Sequence, residues 1–393
     1  MNYCLMHKDD VACHLDMDMH TGNVMDMKIE NPELIPIYVD SKRAMADWWS
    51  MRAIPMSIKR DSDRQFMRAN DISTKEQFAL KNLGLSLSDC YWIRPEKSET
   101  RFKDVNFYEN PFDKIDLTSR ASLTLAKGLT PLATTTGQMR KYWHIKNGKR
   151  ILTKVSEKRL EGQLQCINEA FGHELHVRQQ KYGAVPYSLE FNADKSVRSV
   201  SCPAFTSVDV EYVPMINMIE EKHVYFTRGT KLKNAIIDNC VKSGMEKSSV
   251  IDFFDYLAAM DFIMSNKDRH LNNFGLLRDS NTLEYIGFAP IFDSGNSMLY
   301  DNPYVAGSAE FKLLKTEIAG IYDTDKKLYS SFKKCRSLIS YSNLPAPDFV
   351  CDFYRNSLSV SDDGICRNIS LGYEIKLEIL KREHPEIFAD LQD

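Results

Sequence analysis

Along residues 1 to about 40, apolar side chains fall at every second position: Val11, Cys13, Leu15, Met17 and Met19, then, after His20-Thr21-Gly22-Asn23, a second alternation with Val24, Met25, Met27 and Ile29. Alternation of period two around a Gly-containing turn predicts a β-hairpin. From Ser41 to about Lys114 the spacing becomes helical, with Trp48, Trp49, Leu80 and Leu83 interrupted at Ile54-Pro55, Arg94-Pro95 and Asn110-Pro111. That pattern predicts a small, mostly helical stretch. Between Leu129 and Val155 it changes again, to the Thr-rich turn Thr134-Thr135-Thr136-Gly137 and two apolar runs, Trp143 to Ile145 and Arg150 to Val155, around Asn147-Gly148. An Asn-Gly pair between such runs predicts a hairpin. Leu160, Leu164, Ile167 and Phe171 then mark one face of an amphipathic helix, and Tyr187 to Phe191 and Val197 to Phe205 read as strands. Strands, one helix and further strands make a small mixed lobe. Beyond Val208 helices dominate, with Val250 to Met264 almost wholly apolar and a last helix near Tyr373 to Phe388.

Composition narrows the class. The 393 residues carry 51 Lys plus Arg against 54 Asp plus Glu, with 43% hydrophobic and 27% charged content, which describes a globular protein and excludes disorder or collagen-like repeats. The most apolar stretch contains Asp252, Asp255 and Asp261 and is too short to span a bilayer. Residues 1 to 10 lack the apolar core of a secretory signal. Nine scattered cysteines without a CxxC pair suit reduced thiols in the cytoplasm. Near-neutral charge makes direct nucleic-acid binding a poor fit, although Arg140 to Arg159 holds eight basic residues and one acidic one. A phosphate-facing hairpin and a solvated charged face both account for that local excess.

The chemistry concentrates in Asn266-Lys267-Asp268-Arg269-His270-Leu271-Asn272-Asn273-Phe274-Gly275, which follows the apolar helix, and in Ile291-Phe292-Asp293-Ser294-Gly295, whose Asp stands twenty residues after Asn273. Mg²⁺-dependent phosphoryl transfer needs hard oxygen ligands on the cation and one further carboxylate to orient the attacking hydroxyl. Asp268 fits the base, and Asn273 and Asp293 the metal ligands. The same chemistry needs a strand lysine and a loop of backbone N–H groups for the triphosphate. Lys154 and the loop Thr134, Thr135, Thr136, Gly137, Gln138, Met139 are the candidates. Asp261 lies on the opposite side of its helix from Asp252 and Asp255, so it is expected to be buried. A buried carboxylate needs partners, found either in bracing the backbone of the Asp268 loop or in a purely structural network.

These residues resemble the HipA-like serine/threonine kinases, toxin members of bacterial toxin–antitoxin modules. The likeness rests on Thr136 to Trp143, Ile151 to Lys154, Asn168-Glu169, Asn266 to Gly275 and Phe292-Asp293, within roughly residues 120 to 300. Its specific part is the Asp-x-His-x-x-Asn loop, in which Arg269 and His270 follow the Asp rather than precede it. The resemblance implies an α+β, two-lobed protein-kinase-like fold with a small mixed β/helical N-terminal unit. The expected division is 1–115 for that unit, 116–206 for the N-lobe and 207–393 for a mainly helical C-lobe. It further implies ATP and Mg²⁺ as cofactors, with Asp268 as base, Asn273 and Asp293 on the metal and Lys154 on ATP; His270 and Asp261 are supporting candidates. Autophosphorylation in the phosphate loop would fall on Thr134, Thr135 or Thr136, and the partners would be a protein substrate bearing Ser or Thr and an antitoxin. Glu169 would pair with the strand lysine. At about 100° per residue, however, Glu169 falls opposite the Leu160, Leu164, Ile167, Phe171 stripe, and Glu174 lies nearer to it.

Other constellations are weaker. Cys4, His7, Cys13, His14 and His20 lack zinc-finger spacing, Asp16 to Met27 fails the calcium-loop pattern, and His173 with His176 lacks the metalloprotease spacing and reads as an exposed helix face. Trp48 and Trp49 read as packing residues. Two other functions stay open on the sequence: a catalytically silent, kinase-shaped regulator that binds a partner or associates with DNA, and a small-molecule kinase.

Overall fold

The computed structural model describes residues 2–56, 61–117, 125, 128–137, 139–157, 159–220, 227–332, 338–358 and 363–385. They form two compact units, one built from 1–155, 203–213 and 278–283, the other from 156–202, 214–277 and 284–393.

The first unit contains an antiparallel sheet in the order Val24–Ile29, Asp10–Met17, Asn2–His7, Tyr91–Pro95. The hairpin expected from alternation is its outer half. Its centre is Asn2–His7, which sequence alternation does not single out because both of its faces are covered. Tyr3 and Leu5 enter one apolar cluster with Leu15, Met45 and Trp49, while Cys4 and Met6 enter another with Leu85, Trp92 and Phe107. A strand buried on both faces reads as an unbroken apolar run. The helix Lys42–Arg52, capped by the Ser41 hydroxyl on the Ala44 N–H, lays Met45 and Trp49 on the first cluster. Trp49 donates its indole N–H to the Gly22 carbonyl (2.8 Å); packing thus accounts for that residue.

Strands Lys141–Lys146 and Lys149–Val155 pair antiparallel in the same unit. Asn147 and Gly148 both have positive φ, 51° and 74°, the backbone of a two-residue hairpin turn. Several of the basic residues here hold neighbouring loops. Arg140 donates to the Leu117 carbonyl, Lys141 to that of Thr136, and Arg150 to those of Phe107, Gly148 and Asn110.

In the second unit the helix Leu160–Gln179 buries four consecutive residues, Cys166 to Glu169, so its middle is enclosed on every side rather than amphipathic. This corrects the reading of His173 and His176 as an exposed face. His176 is buried with its Nδ1 2.9 Å from the Tyr256 hydroxyl; burial, helped by the charge of Arg269, pushes its pKa down to about 3. Helices Thr230–Lys242 and Lys247–Ile263 pack together, as do Pro347–Ser357 and Asp363–Glu383. Among the described residues all eight cysteines are free and buried, and no helix is long and apolar enough to cross a membrane.

Candidate active site

The site in the second unit starts where the apolar helix Lys247–Ile263 ends. Ser265 takes a left-handed backbone (φ 50°), which stops the helix and turns the chain into Asn266. The Asn266 amide donates to Asp261 Oδ1 (2.8 Å), and its Oδ1 accepts the Asp268 N–H (3.0 Å). Asp261 is therefore buried as expected, and its carboxylate is bonded by the side chains of Asn266 and Arg269.

Asn273 Nδ2 donates to the Asp268 carbonyl (2.9 Å), and its backbone N–H to that of His270 (2.8 Å). The NH₂ end of the amide is thus committed to the loop, and Oδ1 is the end available to a cation. Asp293 has φ 59°, uncommon for a residue with a side chain, and Asp is among the types that tolerate it. Its N–H donates to the Tyr187 hydroxyl at 3.3 Å. His270 is half-exposed, with Nδ1 accepting the Asn272 N–H (3.2 Å) and Nε2 4.0 Å from Asp268 Oδ1.

Asp268 Oδ2 accepts a hydrogen bond from Asn296 Nδ2 (2.8 Å), and Asn296 Oδ1 in turn accepts one from Gln165 (2.7 Å). Burial raises the Asp268 pKa; the negative charge of Asp293 adds to the rise, while His270, the Asn296 bond and Arg269 oppose it. Asn296 is a functional candidate that the sequence hid, because an Asn directly after Asp-Ser-Gly reads as a turn residue.

Glu169 is fully buried, and its Oε2 accepts the Ser294 N–H (3.0 Å). The expectation that it faces away from the packed side fails, because the middle of the helix has no open side. Glu174 instead pairs with Arg178 one turn on (2.7 Å). Asn168 donates to the Gly295 and Ser297 carbonyls at 2.9 and 2.6 Å. This helix therefore anchors the loop that carries Asp293.

The remaining candidates belong to the first unit. Lys154 is buried on the strand Lys149–Val155. Thr134 is buried in the turn Pro131–Thr134 with its hydroxyl on the Leu85 carbonyl (2.8 Å). The Thr135 hydroxyl donates to the Pro131 carbonyl (2.7 Å) and accepts the Trp143 indole N–H (3.0 Å). Thr136 and Gly137 are exposed, Met139 is half-buried, and Gln138 lies outside the described residues.

No family model matches the sequence, and no curated protein does. Among solved structures, one match is HipA from the Shewanella oneidensis MR-1 toxin–antitoxin system, in complex with HipB and operator DNA. It has 12% sequence identity, a TM-score of 0.52, and coverage of 97% of each chain. The fold is HipA-like. The expected α+β, protein-kinase-like architecture is therefore the one observed. The Helicobacter pylori proinflammatory kinase CtkA also matches, at 17% identity and a TM-score of 0.48 over 64% of this chain and 92% of that one.

Proposed function

We propose that this HipA-like chain transfers the γ-phosphate of ATP to a Ser or Thr hydroxyl of a protein, with Mg²⁺ as cofactor. The observation that carries the reading is the join between Asp268 and the loop of Asp293: the side chain of one is held by Asn296 from the other. The donors suit Mg²⁺, being an amide oxygen and a carboxylate oxygen. A cation shared with nucleotide phosphates needs only one or two ligands from the protein. When bound, Mg²⁺ supplies neutralising charge to the phosphates.

On this reading Asp268 accepts the hydroxyl proton as the oxygen bonds to the γ-phosphorus and ADP leaves. Asn296 holds the Asp268 carboxylate in one rotamer, and Asn273 and Asp293 hold the cation. Lys154 and the loop Thr134 to Met139 handle the triphosphate, and Glu169 holds the Asp293 loop through the Ser294 N–H. Autophosphorylation would fall on Thr136, since the hydroxyls of Thr134 and Thr135 are already given to backbone carbonyls. HipA of Shewanella was solved with HipB and operator DNA, and that supports an antitoxin partner for a chain acting in the cytoplasm.

Incubation with γ-labelled ATP and Mg²⁺ tests the reading. Label is expected on the protein itself, at Thr136, and on a protein substrate. Label on a small molecule alone would move the chain to another kinase class, and absence of any transfer would leave a silent regulator.

A further inference from the structure

Arg269 follows the candidate base directly and is buried, and every one of its guanidinium nitrogens is used. Nε lies 3.0 Å from Asp261 Oδ2, and Nη2 lies 3.1 Å from Asp261 Oδ1 and 3.2 Å from Ser294 Oγ. Nη1 reaches the carbonyls of Asn273 (2.9 Å) and Phe292 (2.5 Å). The two carbonyls belong to one candidate metal ligand and to the residue before the other. A single nitrogen thus ties together the two loops that must present oxygens to the same cation.

We infer that Arg269 is a positioning residue that sets the spacing between Asn273 and Asp293, and so the affinity for the divalent cation; this rests on the phosphoryl-transfer reading. The ion pair with Asp261 anchors the guanidinium to the end of the helix Lys247–Ile263. The planar fork then presents its outer N–H groups to both loops at once. A lysine ammonium keeps the charge but is a single point of donation on a flexible stem, so it cannot bridge Asp261 and two carbonyls with the same geometry. Groups that orient metal ligands are typically worth about 10- to 100-fold in metal affinity.

The test is Mn²⁺ binding, read by electron paramagnetic resonance in the presence of a non-hydrolysable ATP analogue, for the wild type, Arg269→Lys and Asp261→Asn. Arg269→Lys is expected to weaken Mn²⁺ binding at least about tenfold while metal-free analogue binding is unchanged. Asp261→Asn loosens the anchor of the guanidinium, so it is expected to lower the melting temperature and to weaken Mn²⁺ binding in the same direction as Arg269→Lys. Unchanged Mn²⁺ affinity in a folded Arg269→Lys overturns the inference. Should that variant not fold, Arg269→Gln combined with Asp261→Asn removes both charges and is measured instead; failure of both to fold also overturns it, by making Arg269 a folding residue. Wild type that binds no Mn²⁺ with the analogue defeats the phosphoryl-transfer reading itself, which separates the two failures.

Discussion

Asp268 owes its chemistry to its surroundings. Burial and the neighbouring Asp293 raise its pKa, so the acid limb of the pH–activity profile is expected at a higher pH than the ordinary Asp value of about 3.9. For a carboxyl whose folded-state pKa is raised, the stabilising contribution is present at low pH and is lost as pH rises through that pKa. Asp268→Asn removes the charge that burial penalises and keeps an acceptor for Asn296. The variant is therefore expected to melt at or above the wild-type temperature at neutral pH, which calorimetry on the two proteins checks. The candidates Asp268, Asn273 and Asp293 are legible in the sequence because their spacing matches what metal-dependent phosphoryl transfer needs. Asn296, Gln165 and Arg269 are not, since a hydrogen-bond partner brought in from another loop or helix leaves no local periodicity or spacing.

At the level of elements, the helix Leu160–Gln179 does more than cover a sheet. Gly172 faces the loop of Asp293 so closely that an added Cβ would lie 2.8 Å from Ser294 Cβ and 3.1 Å from Met264 Cε. Gly172→Ala must displace that loop. Overpacking of this kind costs about 1 to 3 kcal/mol, and both a lower melting temperature and weaker Mg-ATP binding are expected; normal values for both would show that the helix does not fix the loop. Hairpins were readable here where the turn chemistry was explicit, as at Asn147-Gly148. The strand Asn2–His7 and the enclosed faces around Glu169 and His176 were not, because tertiary packing on both sides erases the contrast between apolar and polar positions.

Across the whole molecule, residues far apart in the chain converge within the first unit on Glu211. His7 Nε2 lies 2.9 Å from its Oε1, which also accepts the Cys90 N–H (2.7 Å), while Arg278 makes bonds of 2.9 and 2.6 Å to Oε2. Burial alone would raise the Glu211 pKa, but the His7 bond and the charge of Arg278 outweigh it and hold it at about 2. A carboxyl lowered in this way contributes stability above its unfolded pKa of about 4.3 and loses it as pH falls toward the folded value. Breaking such a buried pair costs about 3 to 5 kcal/mol. Glu211→Gln is expected to melt well below wild type at pH 7, with the gap closing as the pH falls below about 4; a gap independent of pH would mean the charge is not what matters. Mg-ATP at about 100 Kd should add roughly 2.7 kcal/mol to stability, visible as a rise of several degrees in the melting temperature. The most direct measurement is the single-turnover rate of label transfer from γ-labelled ATP, in wild type and Asp268→Asn, at neutral pH with Mg-ATP saturating both. The wild type should transfer label and the variant should be slower by at least about 10²-fold; equal rates in the two proteins would contradict the account.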